Sequence, residues 1–98
     1  MGAAYVVRIE CLEMGLAPIA EKQRILDYLK SGKPYCASAR SVNDRITGEL
    51  TGLEDNWKTD GVYCWSEDTI YHFEKYNAVI SAGFVNCVVH GERQGSAH

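Results

Sequence analysis

Ninety-eight residues with 46% apolar and 23% charged side chains make one soluble-type domain, long enough to bury roughly two-thirds of the surface its unfolded chain exposes. No apolar run approaches the ~20 residues of a spanning helix, and a chain with net charge −3 lacks the basic surface that nucleic-acid binding needs to displace counterions. Membrane and nucleic-acid partners are therefore not expected, and with no signal-peptide pattern at the N-terminus the expected location is the cytosol.

In chain order, Tyr5 to Leu12 alternates and predicts one strand, with Tyr5, Val7, Ile9 and Cys11 on one face and Arg8 and Glu10 on the other. Gly15 breaks it. Pro18, harmless in a first helical turn because its missing N–H has no partner there, predicts a helix from 18 through Lys30 that stops before Gly32, with Ile19, Ile25, Leu26 and Leu29 facing inward. A short strand is expected at Tyr35 to Ser38. Turn signals at Asn43-Asp44 and Thr47-Gly48 leave room for one more irregular strand.

The densest local information lies between Thr59 and Asn77. Asp60-Gly61 tolerates the positive φ of a tight hairpin, so two strands should meet there. In Val62 to Trp65, Val62 and Cys64 share one face and Tyr63 and Trp65 the other. Ser66 is an N-cap, its hydroxyl oxygen placed to accept an orphan N–H, and Glu67 and Asp68 put negative charge in the first turn, where the helix dipole favours it. The helix runs to Tyr76, with Ile70 and Phe73 inward and Tyr76 or Asn77 completing the stripe. Ser81 caps a last helix, Ala82 to His90, with Phe84, Val85, Val88 and Val89 inward. The reading is an α+β fold: a small mainly antiparallel sheet with about three helices packed on it. Residues 1–91 form a single globular domain. Residues 92–98 read as a polar, unstructured tail ending in a tag-like Gly-Ser-Ala-His.

Chemistry-bearing patterns are sparse. Cys11, Cys36, Cys64 and Cys87 contain no Cys-x-x-Cys pair, and reduced interior thiols are expected. The alternative is a zinc set of Cys64, His72, Cys87 and His90, resting on the Cys87–His90 spacing. His72, one turn after Asp68, reads as a surface i, i+4 pair before it reads as an oriented base. Asp44, Glu54, Asp55 and Asp60 are better explained as turn formers than as cation ligands. No catalytic residue, metal or cofactor is expected. What does accumulate is acid beside aromatic: Glu54, Asp55, Asp60, Glu67, Asp68 and Glu74 around Trp57, Tyr63 and Trp65. Such ground suits protein binding, the rings anchoring and the charge steering a basic partner. Each tryptophan is divided between this role and the core.

Tyr28-Leu29-Lys30-Ser31-Gly32, Ala37-Ser38, Asp44, Thr47-Gly48-Glu49, Thr59 to Ser66, Tyr71, Glu74 to Asn77 and Phe84 together resemble a family of short, stand-alone bacterial proteins with a Thr-Asp-Gly-x-Trp/Tyr-x-Trp strand running into a Tyr-Tyr helix. The similarity spans about residues 21 to 90. It departs at His72, where a second tyrosine is usual, and at Tyr63, where tryptophan is commoner. Some members resemble immunity proteins encoded beside polymorphic toxins. The resemblance implies a non-enzymatic cytosolic protein that binds and occludes a cognate toxin, a basic effector domain; the alternative is a regulatory or scaffold domain with another protein partner.

Overall fold

The computed structural model describes residues 5–12 and 17–90. Its sheet is built around the Asp60-Gly61 turn. Strands β6 (Trp57–Thr59) and β7 (Tyr63–Ser66) pair antiparallel, with Thr59 opposite Cys64 and Trp57 opposite Ser66. Gly61 has φ +100°, and the Asp60 carboxylate accepts the N–H groups of Val62 (2.9 Å) and Tyr63 (2.7 Å), so the turn forms as its residues dictate. Strand β3 (Lys33–Cys36) adds antiparallel to β6 at an edge, where Pro34 can be tolerated.

The expected single N-terminal strand is two strands. β1 (Tyr5–Val6) lies parallel to β7, and β2 (Ile9–Cys11) pairs antiparallel with β8 (Val79–Ile80). The break falls where the Val7 N–H still bonds Cys64 O (2.9 Å) while Arg8 already exchanges bonds with Ser81, its N–H to Oγ (2.8 Å) and its carbonyl from Ser81 N–H (3.0 Å). One alternating segment thus serves two sheets. The Ser81 hydroxyl oxygen, expected to cap the last helix, is used in this crossing.

Helix α1 (Lys22–Lys30) starts later than Pro18, correcting the sequence reading. Lys22 N–H bonds Ile19 O in a turn, the ladder opens with Ile25 N–H to Glu21 O, and Ile19 is left exposed. No Ser, Thr, Asp or Asn lies between 18 and 21 to cap an earlier start, and Glu21 makes no side-chain cap bond. Helix α2 (Glu67–Tyr76) obeys its signals: Ser66 Oγ accepts Thr69 N–H (3.4 Å), and Asn77 closes the helix in the left-handed region at φ 59°. Helix α3 spans Ala82–His90.

The middle segment, expected to hold one strand, is a hairpin of β4 (Ser41–Asn43) and β5 (Leu50–Glu54) with Gly48 at φ +81°. Asp44 fastens it to α2. Its buried carboxylate accepts Ile46 N–H (2.8 Å), Thr47 N–H (2.9 Å), Tyr71 OH (2.7 Å) and Tyr76 OH (2.5 Å). Among the described residues the architecture is α+β, with a four-stranded sheet in the order β1-β7-β6-β3, two smaller antiparallel ladders and three helices.

Trp65 sits at the centre of the core with no exposed surface. Its ring lies 5.3 Å from Phe84 and 6.0 Å from Tyr28, and its indole N–H donates to Leu29 O at 2.9 Å, which removes the cost of burying that donor. Gly32 makes the approach feasible. A Cβ there would stand 2.7 Å from Trp65 Cζ2 and 2.9 Å from Lys58 Cβ. Gly32→Ala is expected to cost about 1–3 kcal/mol by overpacking, read as a lower urea midpoint. An unchanged midpoint would refute the close packing of α1's end on Trp65.

Candidate functional site

The nine residues marked by the sequence do not form one acidic surface. Trp65 is core and has no area to offer a partner. Tyr63 is half-buried with its ring edge-on to Phe84 at 5.1 Å and its hydroxyl 3.9 Å from Cys87 Sγ; burial, then the Cys87 contact, push its phenol pKa up. Asp60, besides holding its own turn, accepts the Tyr28 hydroxyl and ties the hairpin to α1. These three are framework.

Three of the remaining acids are matched by cations of the same chain. Glu67 lies 3.6 Å from Lys58 Nζ, Glu74 lies 3.1 Å from Lys30 Nζ, and Asp68 pairs with the Arg45 guanidinium. The exposed Lys30–Glu74 pair is worth only about 0–1 kcal/mol to stability, and all three pairs cancel much of the field that a distant basic partner would feel. Asp55 is committed differently: its Oδ1 accepts the Asp68 N–H (3.0 Å) at the start of α2. Glu54, on exposed ground, accepts the Asn56 side-chain amide at 3.4 Å.

Trp57 is the residue around which the surface is organised. Half-buried at the start of β6, it lines two clefts at once. One, of about 320 Å³, is bounded by Val6, Arg8, Arg45, Asp55 and Asp68; the other, of about 280 Å³, by Pro34, Tyr35, Cys36, Lys58 and Glu67. Tyr35 on the edge strand and Leu50 and Leu53 on β5 add exposed apolar area. Sequence reasoning missed Arg8, Arg45, Lys58 and Tyr35 as members of this face, because strand pairing and a hairpin docking, not spacing, bring them to Trp57.

His72 is fully buried, which corrects its reading as a surface residue. Its Nε2 accepts the Arg45 main-chain N–H at 2.9 Å, so its proton sits on Nδ1, 2.8 Å from Asp68 O and 3.2 Å from Asp68 Oδ1. Both nitrogens are used in fastening the β4–β5 turn to α2, leaving no lone pair for a substrate proton. The other members of the zinc alternative lie apart in role: Cys64 is buried in β7, where burial pushes its thiol pKa up, Cys87 faces Tyr63, and His90 is exposed. Among the described residues no group of three or more His, Cys, Asp or Glu side chains is placed to hold a metal ion. All four thiols are free; Cys36 is exposed, against the expectation of an interior thiol, because β3 is an edge strand.

Among the described residues no helix is long and apolar enough to cross a membrane. The tail at 92–98 lies outside the described residues. No protein-family model, curated protein or solved structure matches the chain.

Proposed function

We propose that this is a non-catalytic protein-binding module of the immunity type, which neutralises a cognate bacterial toxin in the cytosol by covering it with the face centred on Trp57. The observation that carries the reading is the position of Trp57 on a ridge between two clefts, with charged and apolar side chains around both. Binding energy concentrates in aromatic anchors ringed by groups that exclude water, and a half-buried tryptophan held on a strand loses little freedom when it is covered. The resemblance to immunity proteins supports the choice of partner. A scaffold or regulatory domain would use the same face on a different protein, and the two readings part on the identity of what is bound.

Because Glu67, Asp68 and Glu74 are internally paired, shape at Trp57 outweighs long-range steering of a basic partner. The test is co-expression with the product of the adjacent reading frame. Wild-type protein is expected to suppress its toxicity and to co-purify one-to-one. Trp57→Ala is expected to weaken the complex by about 2–4 kcal/mol, roughly 30- to 1000-fold, while the thermal midpoint stays close to wild type. Full protection of cells by a folded Trp57→Ala protein would sink the proposal.

A further inference from the structure

We infer that the Arg8 side of the Trp57 ridge is a carboxylate-receiving subsite, built to take an acidic side chain that stands next to an apolar one on the bound protein. This rests on the protein-binding reading of Trp57, and it reverses the charge that the linear sequence suggests for the partner at this point. The cleft containing Arg8 continues into a second one through shared Arg45, Asp55 and Asp68, and Arg40 lines that continuation. Arg8, Arg40 and Arg45 thus stand against Asp55 and Asp68 in a molecule whose net charge is −3.

The two carboxylates are already engaged. Asp68 is only 15% exposed and is taken by the Arg45 guanidinium and by His72 Nδ1, while Asp55 accepts the Asp68 N–H. Among the described residues neither the Arg8 nor the Arg40 guanidinium forms an ion pair. An arginine covered by a partner without a matching acceptor loses its hydration uncompensated; one that meets a carboxylate gains a forked, charge-assisted pair. Trp57 on the same cleft wall adds an apolar surface beside the charge. A run of phosphates fits less well than a peptide, because it carries its charge along the backbone that must pass Asp55 and Asp68, whereas a peptide backbone is neutral and places the carboxylate at the end of a side chain that reaches the arginines.

The experiment titrates isotope-labelled full-length protein with three probes, hexaglutamate, hexalysine and hexathymidylate, following the Trp57 indole and the Arg8, Arg40 and Arg45 amide resonances. Hexaglutamate is expected to move these signals, with apparent affinity weakened at least about tenfold between low and physiological salt. The Arg8→Gln, Arg40→Gln double variant should lose at least about tenfold in that affinity with its thermal midpoint retained. Since Arg8 and Arg40 meet partners only through their main chains among the described residues, single Arg40→Gln serves if the double variant unfolds, with a smaller loss in the same direction. Movement of the same signals by hexalysine in place of hexaglutamate would overturn the inference. So would tighter binding of hexathymidylate, or hexaglutamate binding undiminished in the variants. The readout uses no toxin, so failure to neutralise a toxin and failure of this subsite are separate results.

Discussion

Replacing Trp65 by alanine is expected to destabilise the domain by about 3–5 kcal/mol, the usual cost of deleting a large aromatic from a packed core. A domain of this size has only about 5–15 kcal/mol in total, so the variant should be partly or wholly unfolded at physiological temperature. Two losses add: the ring contacts to Phe84 and Tyr28, and the indole N–H bond to Leu29 O, which also accepts the Gly32 N–H (3.4 Å) at the end of α1. Trp65→Phe separates them. It keeps most of the apolar volume and gives up the hydrogen bond, for a smaller loss of about 1–3 kcal/mol. The chain has two tryptophans, so in either variant Trp57 is the remaining one, and its selectively excited emission reports urea unfolding. A Trp65→Ala midpoint within error of wild type would remove Trp65 from the core.

Acid is expected to undo the docking of the β4–β5 hairpin through Asp44. Burial alone pushes that carboxyl's pKa up, but the bonds from Tyr76 OH, Thr47 N–H, Tyr71 OH and Ile46 N–H outweigh it and hold the group well below the ordinary carboxylate range. The folded value lies beneath the unfolded one, so the unfolded chain takes up the proton first. The contribution to stability is therefore complete above the unfolded value, about pH 4, and is lost as the pH falls from there through the folded value. The Asp44 bond in turn raises the Tyr76 phenol pKa, and the Tyr71 hydroxyl at 3.2 Å raises that of Lys75. Asp44→Asn should lower stability at neutral pH and flatten the profile between about pH 2 and 5. Urea midpoints across pH 2 to 8 read both effects, and hydrogen exchange should show the loss of protection first in residues 42–51. A wild-type profile no steeper than the variant's below pH 4 would refute the role given to Asp44.

These two residues explain why the family-like pattern is so readable and so uninformative about a site. Asp44 meets Tyr71 and Tyr76, Asp60 meets Tyr28, Thr59 Oγ1 donates to Tyr63 O (2.7 Å) and accepts Gly61 N–H (2.9 Å), and Gly32 leaves room for Trp65. The quoted positions are in large part joints of the framework. His72, one of the two positions where the pattern departs, is a joint as well. The binding face proposed here draws on Arg8, Tyr35, Arg40, Arg45 and Trp57, all outside the quoted pattern.

Signals that act within four or five residues were sufficient by themselves: the Asp60-Gly61 turn, the Ser66 cap with Glu67 and Asp68 behind it, the extents of α2 and α3, the end of α1 before Gly32, and the α+β class. Each is fixed by backbone φ preference, an adjacent cap or helical periodicity, which the local order of residues records directly. Only the tertiary structure separated the two tryptophans, divided Tyr5–Cys11 between two sheets, closed the 41–54 hairpin onto α2 and paired the acids with cations. Those outcomes depend on partners far along the chain, 36 residues between Trp65 and Leu29 and 32 between Asp44 and Tyr76, and no local preference encodes which distant group a side chain will meet.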